Sequence, residues 1–189
     1  MTGESEARLW RLLEPIYAGV VAFARHLCRS RSDGDDLVQE AAIRALAKLR
    51  DLRDDAAFKG WMYRIVITVH RNRCRRAFWR RFVPLVSTSA RAEDAHVSGD
   101  YRVAEWSPDA AEAARRIRDA LASLPAVQRE AIVLFEIEGW RVEEIASLHR
   151  VSPSAVKSRL ARGRARLREH YEAQHAIQQI PSFVSGDAP

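Results

Sequence analysis

Apolar residues recur every three to four positions along most of the chain, and no stretch alternates between apolar and polar long enough to suggest a strand. Leu9, Leu13, Ile16, Val20, Phe23 and Leu27 line one side of a helical path from Leu9 to Cys28, which Pro15 either kinks or divides into two helices. A second helix is expected from Asp33 to Leu52. Asp33, Asp35 and Asp36 cluster at its start, and Arg44, Lys48 and Arg50 lie toward its end, the order of charge that a helix dipole favours. A third should run from about Ala57 to Phe82. The period then lapses over 83–109, "VPLVSTSARAEDAHVSGDYRVAEWSPD", where Ser, Ala and Asp are plentiful and acids outnumber bases. It resumes at Ala110 and lasts to about Ala176, ahead of a tail at 177–189. The pattern predicts an all-α protein of two small helical domains, 1–82 and 110–176, joined by a flexible acidic linker.

The second domain carries a helix-turn-helix. Leu124-Pro125 opens a helix that runs through Ile132, Val133 and Phe135 and stops near Glu138-Gly139. A short helix over Val142 to His149 turns Ile145 and Ala146 inward. Ser152 and Pro153 then give the next helix a hydroxyl cap and a proline at its first position. Its buried stripe is Val156, Leu160, Gly163 and Leu167. The small Ala146, with Val151 in the turn, lets the two helices cross closely at a steep angle. That crossing pushes the start of the second helix outward, toward a DNA major groove. Ser154, Lys157, Ser158, Arg159 and Arg162 occupy its outer side, where arginine can pair with guanine through two bonds and lysine can hold phosphates. Exposed arginines alone would equally fit a solvated basic helix; the paired helices, the cap and the small-residue spacing favour nucleic-acid binding.

Charge agrees. The 189 residues carry a net charge of +6, which points to a polyanionic partner, nucleic acid before membrane. The longest apolar run, "PIYAGVVAFA", falls well short of the ~20 residues a membrane span needs. Glu4 and Glu6 precede any basic residue, unlike a secretory signal, so a cytoplasmic location without membrane insertion is expected. The third helix holds a second arginine ladder of Arg64, Arg71, Arg73, Arg75, Arg76, Arg80 and Arg81, interleaved with Trp61, Tyr63, Phe78 and Trp79. Arginine holds phosphates while aromatic rings stack on unpaired bases. Trp61, Ile65 and Val69, four residues apart, fit a core stripe as well. Two helical domains that each offer a nucleic-acid face suggest contact with two spaced DNA elements. Chemistry of the chain's own is not expected: it has no glycine-rich phosphate loop, no zinc pattern and no assembled Ser/His/Asp set. Cys28 and Cys74 form no disulfide framework and read as small core residues rather than ligands, so no metal or cofactor is expected. His170 and His175, five apart, share no helix face.

Three blocks, in this order, resemble the extracytoplasmic-function (ECF) sigma factors, the minimal two-domain form of the bacterial sigma-70 family. They are "DGDDLVQEAAIRALAKL", "FKGWMYRIVITVHRNRCRR" and "LPAVQREAIVLFEIEGWRVEEIASLHRVSPSAVKSRLARGRARL". The resemblance implies that 1–82 is region 2 and 110–176 is region 4, with a linker at 83–109 threading polymerase channels. It assigns Asp36, Leu37, Gln39, Glu40 and Arg44 to core RNA polymerase. Trp61, Tyr63, Arg64, Thr68, Arg71, Asn72, Arg75 and Arg76 fall to recognition and melting of the −10 element. Ser154, Lys157, Ser158, Arg159 and Arg162 fall to the −35 element. The segment "RDLRDDAAFKG" would capture a flipped base, since a duplex hides pairing edges. Promoter DNA and an anti-sigma factor are the further partners implied. The chain departs from the family at Ile67-Thr68, where arginine-asparagine is usual, and at His149 and Arg150, where leucine and glycine are usual. An arginine in place of that glycine is expected to strain the turn. A helix-turn-helix repressor or activator acting without replacing a sigma factor would account for 110–170, but leaves the first domain's arginine-aromatic helix unexplained.

Overall fold

The computed structural model describes residues 2–82 and 108–178, and every regular element among them is helical. Most of the expected linker and the last residues of the tail lie outside the described residues, as do the side chains of Arg80, Arg81 and His175. In the first half, α1 (Thr2–Leu13) and α2 (Tyr17–Leu27) are separated by a 3-10 turn at Glu14–Ile16, so Pro15 divides the apolar path instead of kinking it. Next comes α3 (Arg31–Lys48). Its cap is Ser30, whose Oγ accepts from the Asp33 amide at 3.1 Å, so the helix starts ahead of the aspartate cluster. A 3-10 turn at Leu49–Asp51 ends it, short of Leu52. The long α4 (Phe58–Phe82) follows a turn in which Asp54 Oδ1 accepts from the Ala56 amide at 2.9 Å.

The second half contains α5 (Pro108–Ala122), α6 (Ala126–Ile132), α7 (Val142–His149) and α8 (Pro153–Gln178). Beyond Ile132 the α6 path widens into a π turn at Val133–Ile137, and Gly139, at φ +70°, takes the chain out of it. Two glycines set close helix crossings. A Cβ on Gly34 of α3 would lie 2.7 Å from the Arg25 Cα of α2, and one on Gly163 of α8 would lie 2.8 Å from Ile132 Cγ1.

Each half has the apolar interior its periodicity predicts. Phe23, Leu27, Leu37, Met62 and Val66 fill the first; Leu134, Ile145, Val156 and Leu160 fill the second. The two interiors also meet. The Tyr63 ring lies 5.0 Å from Phe23 and 4.9 Å from Trp140, centroid to centroid, and joins the two cores. Among the described residues no helix is long and apolar enough to cross a membrane.

Candidate nucleic-acid interface

An exposed basic surface begins at the helix-turn-helix. The last residue before α7, Arg141, gives its amide to Glu144 Oε2 at 2.7 Å, which fixes the start of that helix. At the far end Arg150 adopts the left-handed conformation, φ 55° and ψ 50°, and the Val151 amide returns to the Ala146 carbonyl at 3.0 Å. The chain therefore turns sharply with an arginine where a glycine would meet no steric penalty. Ser152 Oγ accepts from the Ala155 amide at 3.2 Å and caps α8 as expected. Ser154, Lys157, Ser158 and Arg162 are exposed along the outer side of α8. Arg159 is half-buried, and its Nη1 donates to His149 Nδ1 at 3.0 Å. Farther along, Arg164 leaves the ladder: it pairs with Glu136, its Nε 2.7 Å from Oε1, and lies over the Phe135 ring.

On α4 the expected −10 residues divide into two groups. Thr68, Arg75 and Arg76 are exposed, and Asn72 is half-buried with its Oδ1 accepting from Arg75 Nη2 at 3.2 Å. The others face the second half. Tyr63 is only 1% exposed and its hydroxyl donates to Glu138 Oε2 at 2.8 Å. Burial first, then that carboxylate, raises its pKa. A ring so enclosed cannot stack on a base in this arrangement of the two halves. Arg64 Nη2 donates to the Ser147 carbonyl at 3.1 Å. Arg71 grips Glu130 through two bonds, one of them from Nε to Oε1 at 2.9 Å. Trp61, half-buried, packs on the core 5.8 Å from Phe58 and lines a groove of about 680 Å³ with Leu52, Ala57 and Ser147. The expected base-capturing segment thus borders α7.

Glu130 is the residue that sequence reasoning missed. Its side chain has no exposed surface, and burial raises its pKa despite the opposing pull of Arg71. The signal was present, since an acid stands in the middle of the apolar run of α6, where a carboxylate needs a buried partner. Nearby, Arg129 Nη1 donates to the Leu27 carbonyl at 2.6 Å and Nη2 to the Ala122 carbonyl at 2.8 Å, tying α6 to the end of α2.

The outer side of α3 presents Asp36, Gln39 and Ile43, the last 70% exposed. Leu37, which the resemblance assigned to core RNA polymerase, is fully buried here on the stripe of Val38, Ala41 and Ala45 that packs the helix inward. Glu40 and Arg44 are half-buried and bonded to each other, and Glu40 Oε2 also accepts from Arg73 Nε at 2.7 Å. Cys28 and Cys74 line one cavity with His70, and burial pushes the Cys28 thiol up to about 12. No group of three or more potential metal ligands occurs among the described residues.

Residues 12–80 match the family model for sigma-70 region 2, and residues 114–167 match that for sigma-70, region 4. The chain is 35% identical over 144 residues to the ECF RNA polymerase sigma factor SigM of Mycobacterium tuberculosis, covering 76% of this chain and 67% of that one. It is 33% identical over 151 residues to the RNA polymerase sigma factor CarQ of Myxococcus xanthus, covering 71% and 87% respectively. Among solved structures, the sigma factor RpoE bound to the anti-sigma factor NepR, from Bartonella quintana, superposes with a TM-score of 0.58 at 26% identity, covering 85% of this chain and 94% of that one. CnrH in complex with the cytosolic domain of CnrY, at 24% identity and a TM-score of 0.62, covers 89% and 90% and shares the fold. Two matched regions in the family's order, on the helices just described, together with relatives above 30% identity over most of their length, place this chain among the ECF RNA polymerase sigma factors of the sigma-70 family.

Proposed function

We propose that this chain joins core RNA polymerase in the cytoplasm through the outer side of α3, with Asp36 and Gln39 at the centre and Glu40 and Arg44 at the edge. Region 2 then spans 1–82, region 4 spans 110–176, and 83–109 links them ahead of a tail at 177–189. The start of α8 enters the −35 major groove. Ser154, Lys157 and Ser158 meet the backbone there, while Arg159 and Arg162 reach base edges. The −10 element falls to α4: Arg75 and Arg76 hold phosphates, Thr68 and Asn72 lie beside them, and Trp61, Arg64 and Arg71 join once freed from the second half. These α4 residues help to open the −10 element as well as to read it, while the phosphodiester chemistry belongs to the polymerase.

The observation that carries this reading is the outer side of α8, where Ser154, Lys157, Ser158 and Arg162 stand exposed without an acidic neighbour on that turn. An anti-sigma factor is the regulator we assign to it, by analogy with the NepR and CnrY complexes of its structural neighbours. The test adds the purified chain to core RNA polymerase and sequences run-off transcripts from fragmented genomic DNA. Discrete new start sites with shared upstream elements are expected. A silent polymerase, with the chain alone protecting specific DNA, would instead support a repressor or activator.

A further inference from the structure

His149 closes α7 at the position where the helix-turn-helix bends, and its side chain has no exposed surface. An apolar residue would satisfy packing there. The imidazole does something an apolar residue cannot, because its Nδ1 lies 3.0 Å from Arg159 Nη1. Arginine only donates hydrogen bonds, so Nδ1 must hold the lone pair and the ring proton must sit on Nε2. Nε2 faces Glu130 Oε2 at 3.6 Å, too long for a direct hydrogen bond, yet the orientation sets the N–H dipole toward a carboxylate. The ring is kept neutral by burial first and then by the positive charges of Arg71 and Arg159, which push its pKa down to about 4. A protonated ring would lose the acceptor and repel Arg159.

Arg159 differs in turn from its neighbours on α8. Ser154, Lys157, Ser158 and Arg162 are exposed, whereas Arg159 is half-buried and anchored. A free arginine side chain must give up its rotamer freedom when it meets a base, a cost that pre-ordering removes. Pairing with guanine also needs two N–H groups held in one plane at a set angle. With Nη1 held by His149, the Nε and Nη2 edge is left to meet the base. His149 and Arg159 both belong to the second half, so the bond between them is internal to it, while Arg71 of α4 bears on it through its charge and its pairing with Glu130.

We propose that His149 is a positioning residue for −35 recognition: its Nδ1 holds the Arg159 guanidinium in the orientation that reads the base, and so sets the base preferred there. This rests on the proposed −35 role of Arg159, and the test separates the two. A promoter library randomised across the −35 element is transcribed by core RNA polymerase with the unaltered chain, Arg159→Ala, His149→Leu or His149→Asn. Leucine keeps the apolar bulk and removes the acceptor; the asparagine Oδ1 can stand in for Nδ1. Arg159→Ala and His149→Leu should weaken discrimination at the same base pair. The His149→Leu loss should be roughly fivefold, the size of one net hydrogen bond, and His149→Asn should retain the original preference. If Arg159→Ala shifts the preference and His149→Leu does not, the positioning role is overturned and the −35 reading stands. The positioning role is likewise overturned if His149→Asn behaves like His149→Leu. If Arg159→Ala leaves the preference unchanged, the base-reading role fails and the positioning role fails with it. Nitrogen-15 shifts of the His149 ring in the unaltered chain give a check that no substitution can disturb: at neutral pH Nε2 should carry the proton, and a protonated Nδ1 would overturn the proposal.

Discussion

His70 and His149 are enclosed imidazoles whose neighbours are cationic rather than acidic in the main, and this makes the fold sensitive to acid. Burial, then Arg129, pushes His70 down to about 4 from its ordinary 6.5, and burial, then Arg71 and Arg159, does the same for His149. An unfolded chain takes up these protons as pH falls through 6.5, whereas the folded chain takes them up only near 4. The unfolded state therefore binds more protons across that window, and stability declines as the solution is acidified. Their full contribution is present above the unfolded value and has been lost below the folded one. Glu130 acts in the opposite sense, since its raised pKa favours proton uptake by the folded state. The histidine contribution is isolated by comparing the unaltered chain with His149→Asn, which leaves Glu130 in place. The thermal midpoint should stay level above neutrality and fall between pH 6.5 and 4, with a shallower fall in His149→Asn, where one of the two groups no longer titrates. A midpoint that holds level down to pH 4 would contradict these shifts.

Helices and their junctions were largely legible in the sequence, because a periodic apolar stripe and a cap announce an element locally. The boundaries of α7 and the start of α8 follow from Ser152-Pro153 and from the inward Ile145 and Ala146, all placed as their types predict. The start of α3 was misplaced for the same local reason, since three aspartates masked the stronger cap of Ser30. The burial of Leu37 was legible too, as it falls on the stripe of Ala41 and Ala45. The covering of α4 was not legible. Period tells which side of a helix is apolar, not which other element lies against its arginines, so the pairing of Arg71 with Glu130 across 59 positions had no local signature. The α7–α8 junction gives a direct test of an element's local cost. Arg150, alone among the described non-glycine residues, has positive φ, a conformation that costs an L-residue about 1 kcal/mol. Arg150→Gly removes that strain and returns part of the gain as unfolded-state entropy. The midpoint of urea unfolding should rise, by a stabilisation of up to about 1 kcal/mol. A lower midpoint would mean that the Arg150 side chain contributes more than its backbone costs.

At the scale of the whole molecule, the two proposed nucleic-acid faces are treated differently. The start of α8 looks outward, while Tyr63, Arg64 and Arg71 of α4 are engaged by Glu138, the Ser147 carbonyl and Glu130. Use of those three residues on a −10 element requires the halves to part. The seam combines an apolar contact, Tyr63 between Phe23 and Trp140, with two carboxylates that accept from α4. The carboxylates are the adjustable part. Removing Arg71 would leave Glu130 buried without its counter-charge and would risk the fold of the second half, because an unpaired buried charge is costly. Replacing both acceptors by amides, Glu130→Gln with Glu138→Gln, keeps their shape, leaves each half its own core and weakens the bonds across the seam. The radius of gyration from small-angle X-ray scattering should increase in this double variant relative to the unaltered chain, while helical content by circular dichroism stays the same. Added salt should narrow the difference, since Arg71 is partly exposed and its attraction to Glu130 is screened. Equal radii at low salt would assign the seam to the Tyr63–Trp140 contact, and the carboxylates would then have no part in holding the proposed −10 face against region 4.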